Sequence, residues 1–249
     1  MLALILLALL IYDAHRALPH DNTYVAIRQS KIWRVGIDIS NPPFASEPDG
    51  HRLIGLDVDL AHALADRLGV DLQIQALGYD GLYDALKVGT ADSLISALSI
   101  NPAHFGDVLY STPYFDNGVV IASHNMRFLQ MADLDGERVA VEYGSTADQA
   151  VRLWERRLHY IDVRHYPTSD SALDALRNDQ VHAALIDAIT ARLYKRHYSD
   201  LNISTDQVTF DPYAIAVRID SPFLAGAINA ALDVLRVDGT LDAIIARWL

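Results

Sequence analysis

Apolar positions along this chain switch repeatedly between two spacings. Lys31 to Asp38 (KIWRVGID) alternates and predicts a first strand. Leu56 to Leu68 sets Leu60, Leu64 and Leu68 four apart, with Ala61 and Ala65 beside them and Gly69 at the end, which predicts a helix. Asp71 to Gln75 predicts a second strand. Tyr79-Asp80 opens a short helix that carries Leu82, Ala85 and Leu86 and stops at Gly89. Leu94-Ile95 predicts a third, buried strand. Between the first strand and the first helix, Pro42-Pro43 excludes both ladder and helix, and Asp49-Gly50 marks a hairpin tip. Pro19 to Ser30 is polar and reads as a lead-in.

The alternation then starts again. Val119 to Ala122 predicts a strand that crosses out of the first unit, and Arg138 to Val141 predicts the next. Ser145, with Asp148 three residues on, has capping-box spacing for a helix that buries Ala147, Ala150, Val151, Trp154 and Leu158. Asp162 to His165 predicts a strand. Ser169 is read as the cap of a helix with Ala172, Leu173 and Leu176, and Val181 to Ile186 as a strand. Tyr213 to Val217 predicts a strand, Ser221-Pro222 opens a helix, and Leu241 to Leu249 is a final helix after the turn Asp238-Gly239-Thr240. Alternation of this kind predicts an α/β fold with largely parallel sheets.

Two segments overlay. Asp84 to Ser96 (DALKVGTADSLIS) and Asp174 to Ile186 (DALRNDQVHAALI) share a helix end, a turn and a buried strand at a constant offset of 90 residues. The overlay predicts two similar α/β lobes, with 31–117 plus 211–249 as the first and 118–210 as the second. Two crossings, near Val119 and near Phe210-Asp211, predict a two-strand hinge. In the overlay Ser96 and Ala97 correspond to Ile186 and Asp187. Both strands then end in polar groups at their carboxyl ends, where open α/β sheets bind ligands, and two such ends facing each other predict a cleft.

Composition narrows the partners. Hydrophobic residues make up 51% of the 249 residues and charged ones 21%, which is globular. The net charge of −12 argues against nucleic acid and against a polybasic membrane patch. There is no cysteine, hence no disulfide framework and no thiol metal site. The ten histidines show no zinc spacing, and no nucleophile-elbow, P-loop or dinucleotide fingerprint occurs, so no metal or cofactor is expected. Met1 to Ile11 is continuously apolar. It is shorter than the roughly 20 residues of a membrane span and suits the centre of a signal peptide. No positive residue precedes it and no clean cleavage pattern follows, so the tail of a longer signal or anchor stays open. Residues 1–30 are set apart as this segment and its lead-in, and a membrane tether stays open with them.

The stretch Ser93 to Asp116 (SLISALSINPAHFGDVLYSTPYFD) carries the densest candidate chemistry. A strand ends in the hydroxyls Ser96 and Ser99, and Asn101-Pro102 follows as a helix-start signal. Such an end suits a small polar ligand.

At this point the chain resembles the bacterial extracellular solute-binding proteins for polar amino acids that serve ABC importers. The resemblance runs from about Ile32 to Leu249. It rests on Pro43-Phe44 followed by Gly55-Leu56-Asp57-Val58-Asp59-Leu60, on Ile95 to Pro102, on Tyr110 to Phe115, on Tyr143-Gly144-Ser145-Thr146, and on Gly239-Thr240 with Ile244, Arg247 and Trp248. It implies the type II periplasmic-binding-protein fold, a small polar ligand, the membrane subunits of an importer as partners, and an extracytoplasmic location. It also implies roles. Ser99 and Thr146, with the amides of the helix begun by Ser145, donate to the ligand carboxylate. Asp187 takes the ammonium, or caps the following helix, or does both. Asp38 accepts from the ligand, and Tyr79 and Phe44 line the pocket, although each aromatic alone reads more simply as core. Asn41, Ser96, Ala97 and Tyr143 complete the expected set.

One position departs from the family. Where its members carry an arginine that forks onto the ligand carboxylate, this chain has His104. An imidazole cannot make a bidentate guanidinium contact, and the first turn of a helix disfavours a cation there. Either the ligand has another head group, or an amino acid is held more weakly and more pH-dependently, or His104 is a surface histidine unrelated to the site. A tethered sensing domain, or an enzyme like the cyclohexadienyl dehydratases of this fold with Glu142 as its general acid or base, remains the alternative.

Overall fold

Alternation along the first strand reflects the two faces it presents. β1 (Ile32–Asp38) pairs in parallel with β2 (Asp71–Leu77) on one side and with β3 (Ser93–Leu94) on the other. Trp33, Val35 and Ile37 lie on one face, all fully buried. The Trp33 indole N–H donates to Ser93 Oγ at 2.9 Å, so the ring's polar atom is satisfied inside the core. This computed structural model describes residues 21–249. The apolar N-terminal run, with its expected signal or anchor role, lies outside them. Among the described residues no helix is long and apolar enough to cross a membrane.

The chain divides into two units. The first takes the described residues up to Tyr114 together with Ala214–Trp248, and the second begins at Phe115 and runs to Tyr213. In the first unit the sheet order is β2-β1-β3-β12-β4, with β4 (Val108–Tyr110) and β12 (Ala216–Arg218). β12 runs antiparallel to both of its neighbours. The short helix after Tyr79-Asp80 is α3 (Leu82–Lys87), and the helix predicted from the leucine spacing is α2 (Leu56–Leu68). It buries Leu56, Leu60 and Leu64 and ends on Gly69 in the left-handed conformation, φ 66°. α7 (Pro222–Val237) and α8 (Thr240–Trp248) pack on it.

The second unit repeats the plan. Its sheet order is β10-β6-β9-β7-β8, with β6 (Val119–Ser123), β7 (Arg138–Glu142), β8 (Asp162–Tyr166), β9 (Ala183–Asp187) and β10 (Asn202–Ile203). β7 is parallel to β8 and β9, and β6 is antiparallel to β9. Strand for strand, β8-β7-β9-β6 has the order and directions of β2-β1-β3-β12. β3 and β9 occupy the same place, as the 90-residue overlay requires. Each sheet is mixed rather than largely parallel, because each accepts one antiparallel strand beside its third.

Four local expectations change. Within the stretch expected as a polar lead-in, α1 (Asn22–Ser30) forms. The Asp21 carboxylate, almost fully buried, caps two helices at once. It accepts from Tyr24 N–H at 2.7 Å in α1 and from Leu224 N–H at 2.9 Å in α7. Asn101-Pro102 opens only a single 3-10 turn, Pro102–His104, so no macrodipole acts on His104. Thr168, not Ser169, caps α5 (Ser169–Arg177). The expected strand Tyr213–Val217 is two pieces, β11 (Pro212–Tyr213) in the second unit and β12 in the first. β11 pairs antiparallel with β5 (Phe115–Asp116), so the residues just beyond the two chain crossings form a short ladder.

α2 starts at a tight spot. Gly55 has φ +143°, and a Cβ there would lie 2.0 Å from the Phe44 carbonyl oxygen. Gly55→Ala is expected to cost at least about 2 kcal/mol in denaturant unfolding, through strain and displacement of the Phe44 turn. An unchanged midpoint would contradict this packing.

Candidate functional site

In the first unit, three neighbouring strands end in polar groups. At the end of β1, the Asp38 N–H donates to Ser96 Oγ at 3.0 Å, which braces β1 against the segment leaving β3. The Asp38 carboxylate accepts from Ser40 N–H at 2.9 Å and from Ser40 O–H at 2.7 Å. Ser96 is fully buried, so it shapes the site from behind. Ser99 is exposed, and Tyr79, just past the end of β2, is 57% exposed. The Asn41 carbonyl accepts from Phe44 N–H and Ala45 N–H and closes the turn after β1. Phe44 is buried, which makes it core rather than an exposed lining group.

Ala97 is a non-glycine residue in the left-handed region, φ 46°. Its N–H has two acceptors, Asp57 Oδ2 at 2.8 Å and Tyr114 Oη at 3.0 Å, and the Tyr114 hydroxyl donates to Asp57 Oδ1 at 2.7 Å. Asp57 is fully buried and Tyr114 nearly so. Burial pushes the Asp57 carboxyl up to about 7, against the opposing pull of the Tyr114 and Ala97 hydrogen bonds. Both residues lie in stretches that resemble the family, and nothing local in the sequence marks a role for either. Only the fold brings them to Ala97.

His104 is turned onto another partner. Its ring stacks on Tyr83, with centroids 3.8 Å apart and planes 9° from parallel. It lines a cavity of about 420 Å³ in the first unit, with Lys87, Asp107 and Arg218 among the other walls. Arg218 belongs to β12, whose register places it opposite Val108, at the amino end of β4. The residues lining that cavity do not include Asp38, Ser96 or Ala97.

In the second unit, Tyr143, Ser145 and Thr146 follow the end of β7, and Asp187 ends the adjacent β9. Ser145 Oγ accepts from Asp148 N–H at 3.2 Å and starts α4 (Thr146–Trp154). Thr146 and Tyr143 are exposed, Tyr143 by 71%. Asp148, 1% exposed, holds the turn from inside. It accepts from Gly144 N–H at 2.9 Å, from Arg152 Nε and Nη2 at 3.0 and 2.9 Å, and contacts His165 Nε2 at 3.0 Å. The Arg152 hydrogen bonds hold its carboxyl well below the usual range. The Gly144 and His165 contacts add to them, and burial opposes them. The capping-box spacing is thus met differently from expectation: the Asp148 carboxylate reaches Gly144 rather than closing back on Ser145. Asp187 is half-buried and caps α6 (Ala188–His197), Oδ1 accepting from Thr190 N–H at 2.9 Å. Glu142 Oε2 accepts from Ser169 N–H at 2.9 Å and Oγ–H at 2.7 Å, at the start of α5.

Residues 33–249 match the bacterial extracellular solute-binding proteins, family 3. The chain belongs to this family. Among its relatives is the ABC transporter arginine-binding protein 1 of Escherichia coli, 27% identical over an alignment of 237 residues that covers 93% of this chain and 96% of the relative. A polar amino acid ABC uptake transporter substrate-binding protein from Streptococcus thermophilus superposes with a TM-score of 0.78 at 23% identity, covering 92% of each chain, and shows the type II periplasmic-binding fold. An ancestral amino acid-binding protein described as a precursor of cyclohexadienyl dehydratase is 27% identical, with a TM-score of 0.56 over 91% of this chain and 98% of that one.

The buried carboxyl gives a signed prediction. An unfolded Asp57 titrates near 3.8, and the folded one near 7. Between these values the folded chain keeps a proton that the unfolded chain has lost. The contribution of Asp57 to stability is therefore complete below about pH 4 and is lost as pH rises through 7. Denaturant titrations from pH 4 to 8 should show the wild type losing stability relative to Asp57→Asn as pH rises. Parallel profiles would contradict it.

Proposed function

We propose that the chain captures one amino acid outside the cytoplasm and delivers it to the membrane subunits of an ABC importer. The observation that carries this is the matched placement of polar groups at the carboxyl ends of the same strands in both units: Asp38, Ser96 and Ala97 after β1 and β3, and Tyr143 to Thr146 with Asp187 after β7 and β9. Exposed Ser99 and Thr146, with the first amides of α4, are the donors for a ligand carboxylate. Asp187, half-buried and already capping α6 through one oxygen, is the acceptor for the ammonium. Asp38 adds a second acceptor, and exposed Tyr79 and Tyr143 supply apolar faces. Phe44, Asn41 and Ser96 support this set from behind. His104, stacked on Tyr83, is left out of the carboxylate contact.

The solute class follows from charge. The groups placed here include Asp38 and Asp187 and no lysine or arginine, and the Escherichia coli relative is named for arginine. A basic amino acid, L-arginine first, is the solute we propose. Binding without turnover is part of the same proposal. A dehydratase is the second possibility, favoured by the likeness to the ancestral precursor. Glu142, the glutamate it would need, spends Oε2 on the start of α5.

A thermal-shift panel of amino acids tests this. A basic amino acid at roughly 100 times its Kd should stabilise the protein by about 2.7 kcal/mol, a rise of about 5 °C or more. Asp187→Ala should reduce that affinity at least tenfold, about 1.4 kcal/mol. No shift with any amino acid, or an unaffected Asp187→Ala, would contradict the proposal.

A further inference from the structure

The turn at Ala97-Leu98 is fastened in both directions. The Ala97 N–H is shared by Asp57 and Tyr114, and the Leu98 carbonyl accepts from Ala214 N–H at 2.9 Å. Tyr114 is the last residue of the first unit before the chain leaves it, and Ala214 is the first on its return. One two-residue turn therefore touches both ends at which the chain crosses. Asp57 cannot drift, because its own N–H donates to the Phe44 carbonyl at 2.9 Å in the close-packed start of α2. A side chain with no exposed surface touches no solute, so any effect of Asp57 on capture passes through what it holds.

We infer that Asp57 and Tyr114 are positioning residues for solute capture: they lock Ala97 in its left-handed conformation, set where Ser99 points its hydroxyl, and tie that turn to both crossing points of the chain. Without the clamp, a non-glycine residue at φ 46° reverts toward the extended or helical regions, and the segment to Ser99 turns with it. The inference rests on the amino-acid-binding proposal for the affinity arm of its test, and its structural arm stands alone.

The test combines amide exchange with affinity for L-arginine. Tyr114→Phe keeps the ring and removes the hydroxyl. Asp57→Asn is the second variant, should the first fold poorly. Leu235→Ala, on the buried face of α7, is the comparison that lowers Tm without touching the turn. Both clamp variants should raise exchange at Ala97 N–H at least tenfold, raise it at Ala214 N–H as well, and weaken L-arginine binding about tenfold. Leu235→Ala should lower Tm and leave that affinity unaltered. Unchanged exchange at Ala97 in both variants, or affinity that stays at the wild-type value, would overturn the inference. If the wild type binds no L-arginine, the solute proposal fails instead, and exchange at Ala97 and Ala214 alone decides whether the clamp exists.

Discussion

A carboxyl group with no exposed surface is costly to bury, and the first unit is arranged so that Asp57 bears that cost with its acceptors filled. Taking an isolated carboxylate out of water costs several kcal/mol even after relaxation, so such groups persist only when hydrogen-bonded. Here the donors are the Tyr114 hydroxyl and the Ala97 amide. Each partner is in turn fixed by something else: Tyr114 by its place at the crossing, Ala97 by the strand end it continues, and Asp57 by the helix start wedged against Phe44. Helix α2, strand β3 and the chain crossing therefore meet at one buried polar point.

The second unit solves the same problem with opposite electrostatics. Asp148 is also almost fully buried and also grips the turn next to the expected solute groups, here through the Gly144 N–H. It faces a guanidinium, which lowers its proton affinity where burial raises that of Asp57. In both units the labour divides by exposure. Buried Ser96, Asp57 and Asp148 brace the turns, while Ser99, Thr146, Tyr79 and Tyr143 stay exposed.

Much of this was legible in the sequence where signals were local. The leucine spacing and Gly69 located α2 to the residue, because an amphipathic stripe and a left-handed cap are written in adjacent positions. The overlay of Asp84–Ser96 on Asp174–Ile186 found two equivalent strands, because a buried strand after a helix end is also a local pattern. What was missed depends on distant partners. α1 is polar, with Ile27 its one fully buried residue, and its cap Asp21 also binds Leu224, 203 positions away. The break between Tyr213 and Ala216 has no local mark, since the apolar run is continuous and only the fold assigns its halves to different units. The Asn101 cap signal was genuine, with Oδ1 accepting from Ala103 N–H at 3.0 Å, but too few residues separate it from β4 for a helix. The roles of Asp57 and Tyr114 were invisible for the same reason: the two are 57 positions apart.

The central claim is that this chain holds an amino acid without transforming it. Calorimetric titration with L-arginine, followed by mass-spectrometric recovery of the solute after prolonged incubation, tests it most directly. The account predicts saturable binding of one solute per chain and complete recovery of unaltered L-arginine. Absence of saturable heat, or conversion of the solute to a new product, would contradict it.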